Sequence, residues 1–108
     1  MKTILRKRQK RHENLLKIAH NEITRLEANI NYTSFIMQTG KTKIMSYTLA
    51  MYDMILPEAF IRVNKSCIIN KNFVKNLNTD NKKVTMKDGV EFQISRRRWV
   101  EVSQNVLT

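Results

Sequence analysis

The sequence predicts a mostly β domain, built from short antiparallel strands with one short helix around residues 48–56. Polar and apolar residues alternate on both sides of Lys87-Asp88-Gly89, and an Asp-Gly pair between such runs is typical of a β-hairpin. In Phe60–Asn70, which reads FIRVNKSCIIN, two apolar runs flank a polar and cationic step. The segment 48–56 carries apolar residues at helical spacing instead.

The first half of the chain begins with a cationic stretch. We interpret residues 1–14 as a basic N-terminal arm, with a helix as the alternative, and residues 15–108 as one domain. Short apolar segments separated by turns predict strands at 15–19, 23–30, 35–39 and 43–47, the last two joined by a turn at Gly40-Lys41. The segment 23–30 also fits a helical period, so its residues alone leave a helix open.

The helix is bounded by recognisable signals. Thr48 can cap its first turn, and Pro57 ends it because the residue before a proline is pushed out of the helical region. Further strands are predicted at 60–63, 66–69, 73–77, 83–86 and 90–94, with a turn cluster at 78–81. Ser95 opens a last turn of helix that carries Arg97, Trp99 and Val100.

The composition is that of a small, strongly basic domain. The 108 residues suffice for one modest core, and 20 Lys and Arg against 9 Asp and Glu give a formal net charge of +11. A pI of about 10.2 is the electrostatic footprint expected of a nucleic-acid binder. Six of the positive charges lie in the first twelve residues. Charge alone names no partner, because any polyanion attracts such a surface.

Several functions are not expected from this sequence. Cys67 is a single cysteine among apolar residues and is predicted to belong to the core. Two separated histidines and one thiol fall short of a metal site, and no catalytic motif or paired carboxylates suggest an enzyme or a cofactor. The chain lacks an apolar run long enough to span a membrane and a signal-peptide core, which predicts a cytoplasmic protein.

The ordered motifs of the chain resemble one family. Phe60–Asn70 fits the pattern F-x-R-x-[HN]-x-S-x-[IV]-[IV]-N, and a strand followed by Ser95-Arg96-Arg97 comes some 25 residues later. Upstream, the stretches 20–28, 31–33 and 48–56 look like the opening strands, first loop and short helix of the same family. Together, from about Leu15 to Val102, they resemble the LytTR family of bacterial DNA-binding domains.

This resemblance implies a transcription regulator that binds promoter DNA, as two copies on a direct repeat. Family members commonly carry an upstream receiver or sensor domain, and about fourteen residues precede the domain here. We therefore expect either control by abundance or by a partner protein, or a bare effector domain. Loops at strand ends would enter the major groove, where an arginine can contact guanine and a lysine can either contact guanine or neutralise a phosphate. The implied base-reading residues are Lys65, Arg97, Tyr32, Thr33 and Ser34. The implied phosphate-binding residues are Arg62, Ser66, Arg96, Arg98, Lys41 and Lys43.

Each of these assignments has a simpler alternative. Arg62 could belong to a structural ion pair, Tyr32 could pack on the core, and the three arginines could form a solvated face. Asn64 stands where the family commonly has histidine, and we expect it to order the loop rather than read a base. Two other functions also stay open: a non-specific or RNA-binding basic β domain, and a protein-interaction module on the same scaffold.

Overall fold

Eight short strands in two antiparallel sheets dominate the computed structural model, which describes residues 20–106. The five-stranded sheet has the order β3-β2-β1-β5-β4, and the three-stranded sheet has the order β6-β7-β8. The strands are β1 Ile23–Ala28, β2 Thr33–Met37, β3 Thr42–Met45, β4 Phe60–Asn64, β5 Cys67–Asn70, β6 Val74–Asn78, β7 Lys83–Met86 and β8 Glu91–Gln93. The predicted mostly β fold is therefore confirmed.

The predicted hairpins are also confirmed. Turns around Gly40 and Gly89 join β2 to β3 and β7 to β8, and both glycines adopt the positive φ that favours this residue (92° and 91°). In the β6–β7 turn, the Asn78 side chain accepts hydrogen bonds from the amides of Asp80 and Asn81. The predicted arm at 1–14 and the predicted strand at 15–19 lie outside the described residues.

The helix α1, Leu49–Ile55, forms where the sequence predicts it. The Thr48 hydroxyl accepts a hydrogen bond from the Met51 amide, and Leu56, just before Pro57, has an extended backbone with ψ of 149°. Leu49 and Tyr52 are buried, so α1 covers one face of the five-stranded sheet.

The helix α2, Arg96–Val106, has eleven residues, whereas the sequence predicts only one turn. Its apolar stripe, formed by Trp99, Val102 and Val106, has the spacing of one helix face and packs on the core. The polar run at 103–105 conceals that stripe in the sequence. Within residues 20–106, neither helix is long and apolar enough to cross a membrane.

Two apolar cores lie on opposite faces of the five-stranded sheet, because side chains alternate along each strand. On β5, Ile68 faces the core beneath α1, whereas Cys67 and Ile69 face the core beneath the three-stranded sheet and α2. Cys67 is a buried free thiol, as predicted, and burial raises its pKa to about 12. The five-stranded sheet is thus the central layer of the domain.

A buried arginine joins the two sheets. Arg25 of β1 is only 6% exposed, and its guanidinium bonds to Glu27 at 2.7 Å and to Asp88 in the β7–β8 turn at 2.8 Å. The same group lies 5.3 Å from the centre of the Phe92 ring. These contacts compensate the charge of Arg25 in a place where an unpaired charge would be costly.

Candidate nucleic-acid interface

The β4–β5 turn places Lys65 and Ser66 in solvent at one end of the five-stranded sheet. The Asn64 side-chain oxygen accepts a hydrogen bond from the Ser66 amide at 2.8 Å and so closes the turn. The expectation that Asn64 orders this loop is confirmed. The Lys65 side chain therefore leaves the protein from a turn with a fixed backbone.

Two hydrogen bonds bring the β8–α2 junction beside this turn. The Ser95 amide donates to the carbonyl oxygen of Val63 at 2.9 Å, and the Asn64 side-chain amide donates to the carbonyl oxygen of Gln93 at 2.7 Å. Lys65 and Arg97, 32 positions apart in the sequence, consequently lie on neighbouring pieces of backbone that are bonded to each other.

The Gln93 side chain extends this connection to a third segment, the β6–β7 turn. Its amide group donates to the carbonyl oxygens of Asn81 at 3.2 Å and Lys82 at 3.0 Å. The turn is also tied by the Ile94 amide, which donates to Lys82 at 2.9 Å. Gln93 therefore contacts both turns and holds them at one edge of the molecule.

Arg62 is largely occupied by the protein itself. Its guanidinium donates to the carbonyl oxygens of Asn64 at 3.2 Å and Lys65 at 2.9 Å, and it lies 3.8 Å from the Asp53 carboxylate of α1. Its side chain is 17% exposed. This geometry matches the alternative in which Arg62 belongs to a structural ion pair. The two hydrogen bonds to backbone carbonyls also stabilise the turn that carries Lys65.

Three arginines occupy the first turn of α2. Arg96 and Arg97 are exposed, and Arg98 is half-buried. The N-terminus of a helix carries a partial positive charge and free N–H groups, so basic residues there oppose the helix dipole and acidic residues would favour it. The first turn of α2 contains no acidic residue. This arrangement costs some helix stability and attracts anions.

An open concavity of about 510 Å³ lies between the β4–β5 turn and the start of α2. It is lined by the described residues Arg62, Asn64, Lys65, Ser66, Gln93, Ser95, Arg97 and Arg98. This lining is rich in hydrogen-bond donors and includes no carboxylate, which suits a ligand that carries negative charge and acceptor atoms. Within residues 20–106, no group of three His, Cys, Asp or Glu side chains could hold a metal ion.

The β1–β2 loop lies beside the same surface, because the Ala28 amide donates to the carbonyl oxygen of Ser66 at 2.8 Å. Of the predicted stretch 32–34, only Tyr32 is exposed, at 42%. Thr33 and Ser34 are buried in β2, where the Thr33 hydroxyl donates to the carbonyl oxygen of Tyr47 and the Ser34 hydroxyl accepts from Asn29.

Lys41 and Lys43 are not brought to this surface. Lys41 lies in the β2–β3 turn, at the opposite end of the five-stranded sheet from the β4–β5 turn. Lys43 lies on β3 opposite Phe35, part of the way along the sheet. Strand β2 separates the two ends by roughly 13–17 Å, because each strand residue advances the chain by about 3.3 Å.

Three residues near this surface were absent from the predicted site: Ile30, Lys82 and Gln93. Ile30 is 96% exposed in the β1–β2 loop, although an isolated isoleucine in a sequence usually predicts a core position. Lys82 and Gln93 look like ordinary polar residues at strand ends. Only the hydrogen bonds between distant loops distinguish them.

Comparison with known proteins is consistent with this geometry. A model of the LytTr DNA-binding domain family matches residues 13–106. Among solved structures, one similar chain is described as the LytTr DNA-binding domain of a methyl-accepting/DNA response regulator from Bacillus cereus. It is 24% identical, with a TM-score of 0.68 over 81% of this chain and 82% of that chain. The search of curated proteins gave no match.

Proposed function

The chain belongs to the family of LytTr DNA-binding domains, and from that premise we propose that it recognises a specific promoter sequence in double-stranded DNA. The family is one of DNA-binding domains that regulate transcription, and it is not an enzyme family. What remains to be assigned is which residues read bases and which hold the backbone.

The observation that carries the proposal is the bonded connection between the Lys65 turn and the start of α2. A protein that reads adjacent base pairs must hold its reading side chains in a fixed relation to each other. The Asn64–Gln93 and Val63–Ser95 hydrogen bonds supply that relation here. We assign base reading to Lys65 and Arg97, because Lys and Arg side chains can contact guanine O6 and N7 in the major groove.

Phosphate binding falls to the residues around these two. Ser66 follows Lys65 in the turn, and Arg96 and Arg98 flank Arg97 in the first turn of α2. Helix N-termini and arginines both bind phosphate oxygens, and such contacts set the orientation of the protein without reading sequence. We leave Lys41, Lys43, Thr33 and Ser34 out of this surface because of their position or burial.

The β1–β2 loop supplies an apolar contact in the proposal. Ile30 is almost fully exposed, and the loop is bonded to the β4–β5 turn through Ala28 and Ser66. In the major groove, the thymine methyl group is the feature that an apolar side chain can recognise. We therefore assign Ile30 to a thymine methyl and Tyr32 to the adjoining backbone.

Binding as two copies on a direct repeat is also part of the proposal. Two copies in the same orientation present the same loops to the same face of the duplex when their half-sites are about 10–10.5 base pairs apart, or a multiple of that spacing. The strong positive charge supports binding that depends on counterion release from the DNA.

The test is selection from a randomised duplex pool, followed by sequencing, at two salt concentrations. The proposal expects recovery of a repeated motif with fixed spacing. Salt-sensitive retention of duplexes without any motif would contradict it and leave a non-specific binder. Tighter binding of single-stranded RNA than of the selected duplex would favour the RNA-binding alternative.

A further inference from the structure

Lys82 has an unusual backbone conformation. Its φ is 53°, and no other non-glycine residue within 20–106 has a positive φ. This left-handed region suits glycine and asparagine, whereas a lysine there is strained. Strained residues are over-represented at functional sites, where the surrounding structure holds them in place.

The surroundings of Lys82 do hold it in place. Its carbonyl oxygen accepts hydrogen bonds from the Ile94 amide at 2.9 Å and from the Gln93 side chain at 3.0 Å. Asn78 closes the other side of the β6–β7 turn through two amides. Because Ile94 and Gln93 precede α2, these bonds fix the Lys82 backbone relative to the first turn of that helix.

The Lys82 side chain lies toward the same helix. Its ammonium group is 5.9 Å from the centre of the Trp99 ring, and Trp99 directly follows the three arginines of α2. Lys82 is exposed, so its charge is open to solvent while the aromatic ring limits its range of positions. The β6–β7 turn thereby places one further cation over Trp99, two residues after Arg97 on α2.

We propose that Lys82 binds a DNA phosphate next to the base pair that Arg97 reads. This inference rests on the proposed function and adds a third segment, the β6–β7 turn, to the DNA surface. A phosphate contact adds affinity for every sequence and leaves base preference unchanged. A phosphate contact also accounts for a lysine at a position where glycine or asparagine would adopt the positive φ with less strain.

The experiment measures duplex binding as a function of salt for the full chain and two matched variants. Lys82→Asn removes the charge and places a residue that tolerates a positive φ. Lys87→Asn is the control, because Lys87 is an exposed lysine in the turn at the opposite end of β7. Each phosphate contact contributes about 0.9 to the slope of log affinity against log salt.

The expected result is a slope lower by about 0.9 for Lys82→Asn, together with an unchanged base preference and an unchanged or higher melting temperature. Between 50 and 200 mM salt, the wild type would then lose about 3.5-fold more affinity than this variant. Lys87→Asn should keep the wild-type slope.

Two outcomes would overturn the inference: a wild-type slope for Lys82→Asn, or the same decrease in both variants. Lys82→Met keeps an unbranched side chain over Trp99 without the charge. If Lys82→Met binds like the wild type, the lysine only covers the ring and the inference fails. Absence of duplex binding by the wild type itself would instead refute the proposed function.

Discussion

The side-chain amide of Asn64 donates a 2.7 Å hydrogen bond to the main-chain carbonyl oxygen of Gln93, and this bond joins the turn that carries Lys65 to the segment that begins α2. Asn64 also closes its own turn through the Ser66 amide. One side chain therefore fixes a loop and its distance from a second loop.

Asn64→Ala should reduce base preference without removing any DNA contact of its own. Two hydrogen bonds are lost, so the free energy of unfolding should fall by about 1–3 kcal/mol. Lys65 and Arg97 are then no longer held together, so the affinity ratio of selected to scrambled duplex should fall roughly tenfold. A tenfold change corresponds to about 1.4 kcal/mol, the scale of one hydrogen bond. Asn76→Ala, at an exposed position on β6, is the control. A wild-type ratio in Asn64→Ala would refute the positioning role.

Arg97→Ala should separate binding from folding. Removal of a cation from the first turn of α2 relieves its unfavourable interaction with the helix dipole, so the free energy of unfolding should stay the same or rise by up to about 1 kcal/mol. Discrimination at one base pair should fall by about 1–3 kcal/mol. Arg96→Ala should weaken all duplexes alike. If Arg97→Ala keeps the selected motif, the assignment of Arg97 is wrong.

Arg62→Ala tests whether this residue braces the turn or binds phosphate. Its guanidinium bonds to the carbonyl oxygens of Asn64 and Lys65, so its loss should lower the free energy of unfolding by about 1.5–3 kcal/mol. The salt slope of duplex binding should stay at the wild-type value. A slope reduced by about 0.9 with little change in stability would show instead that Arg62 contacts phosphate.

The assignment of Ile30 can be tested by removing a methyl group from the DNA. The thymines of the selected site are replaced by deoxyuridine one at a time. One of these replacements should weaken wild-type binding by about 1 kcal/mol, the scale of one buried methyl group. In Ile30→Ala the same replacement should have no effect. If the losses in the two proteins are equal, Ile30 does not contact that methyl group.

The Arg25–Asp88 ion pair should make stability depend on pH in the acid range. The hydrogen bond from Arg25 lowers the pKa of Asp88 below its ordinary value of 3.8. The stabilisation is therefore complete above the unfolded-state pKa of about 3.9 and is lost as the pH falls through the lower folded-state pKa. Asp88→Asn keeps an oxygen for the Val90 amide and removes the charge.

At pH 7, Asp88→Asn should lower the free energy of unfolding by about 1 kcal/mol. This value is the upper end of the range for exposed ion pairs, and the Asp88 carboxylate is half exposed. The difference from the wild type should vanish well below pH 4. The control Asp80→Asn, in the β6–β7 turn, should have the same free energy of unfolding as the wild type at pH 7 and at the low pH. A difference between wild type and Asp88→Asn that persists at low pH would show that the charge is not its origin.

Much of the fold could be predicted because its signals are local. The glycine turns, the Thr48 cap and Pro57 each act on neighbouring residues, and the alternating run before Ser95 marks a strand by itself. The length of α2 was missed for the opposite reason. Only the core beneath the three-stranded sheet decides that Trp99, Val102 and Val106 form one buried face.

By itself, the sequence determined the mostly β architecture, the basic character of the chain and the two positions, Lys65 and Arg97, that match a family pattern. The tertiary structure decided which other side chains stand beside them. It buried Thr33 and Ser34, engaged Arg62 with backbone carbonyls, and placed Lys41 at the far end of the sheet. It also brought Lys82 next to α2. The physical reason is that a hydrogen bond between loops depends on their distance in space. Strand pairing fixes that distance, and the residues adjacent in the sequence do not encode it.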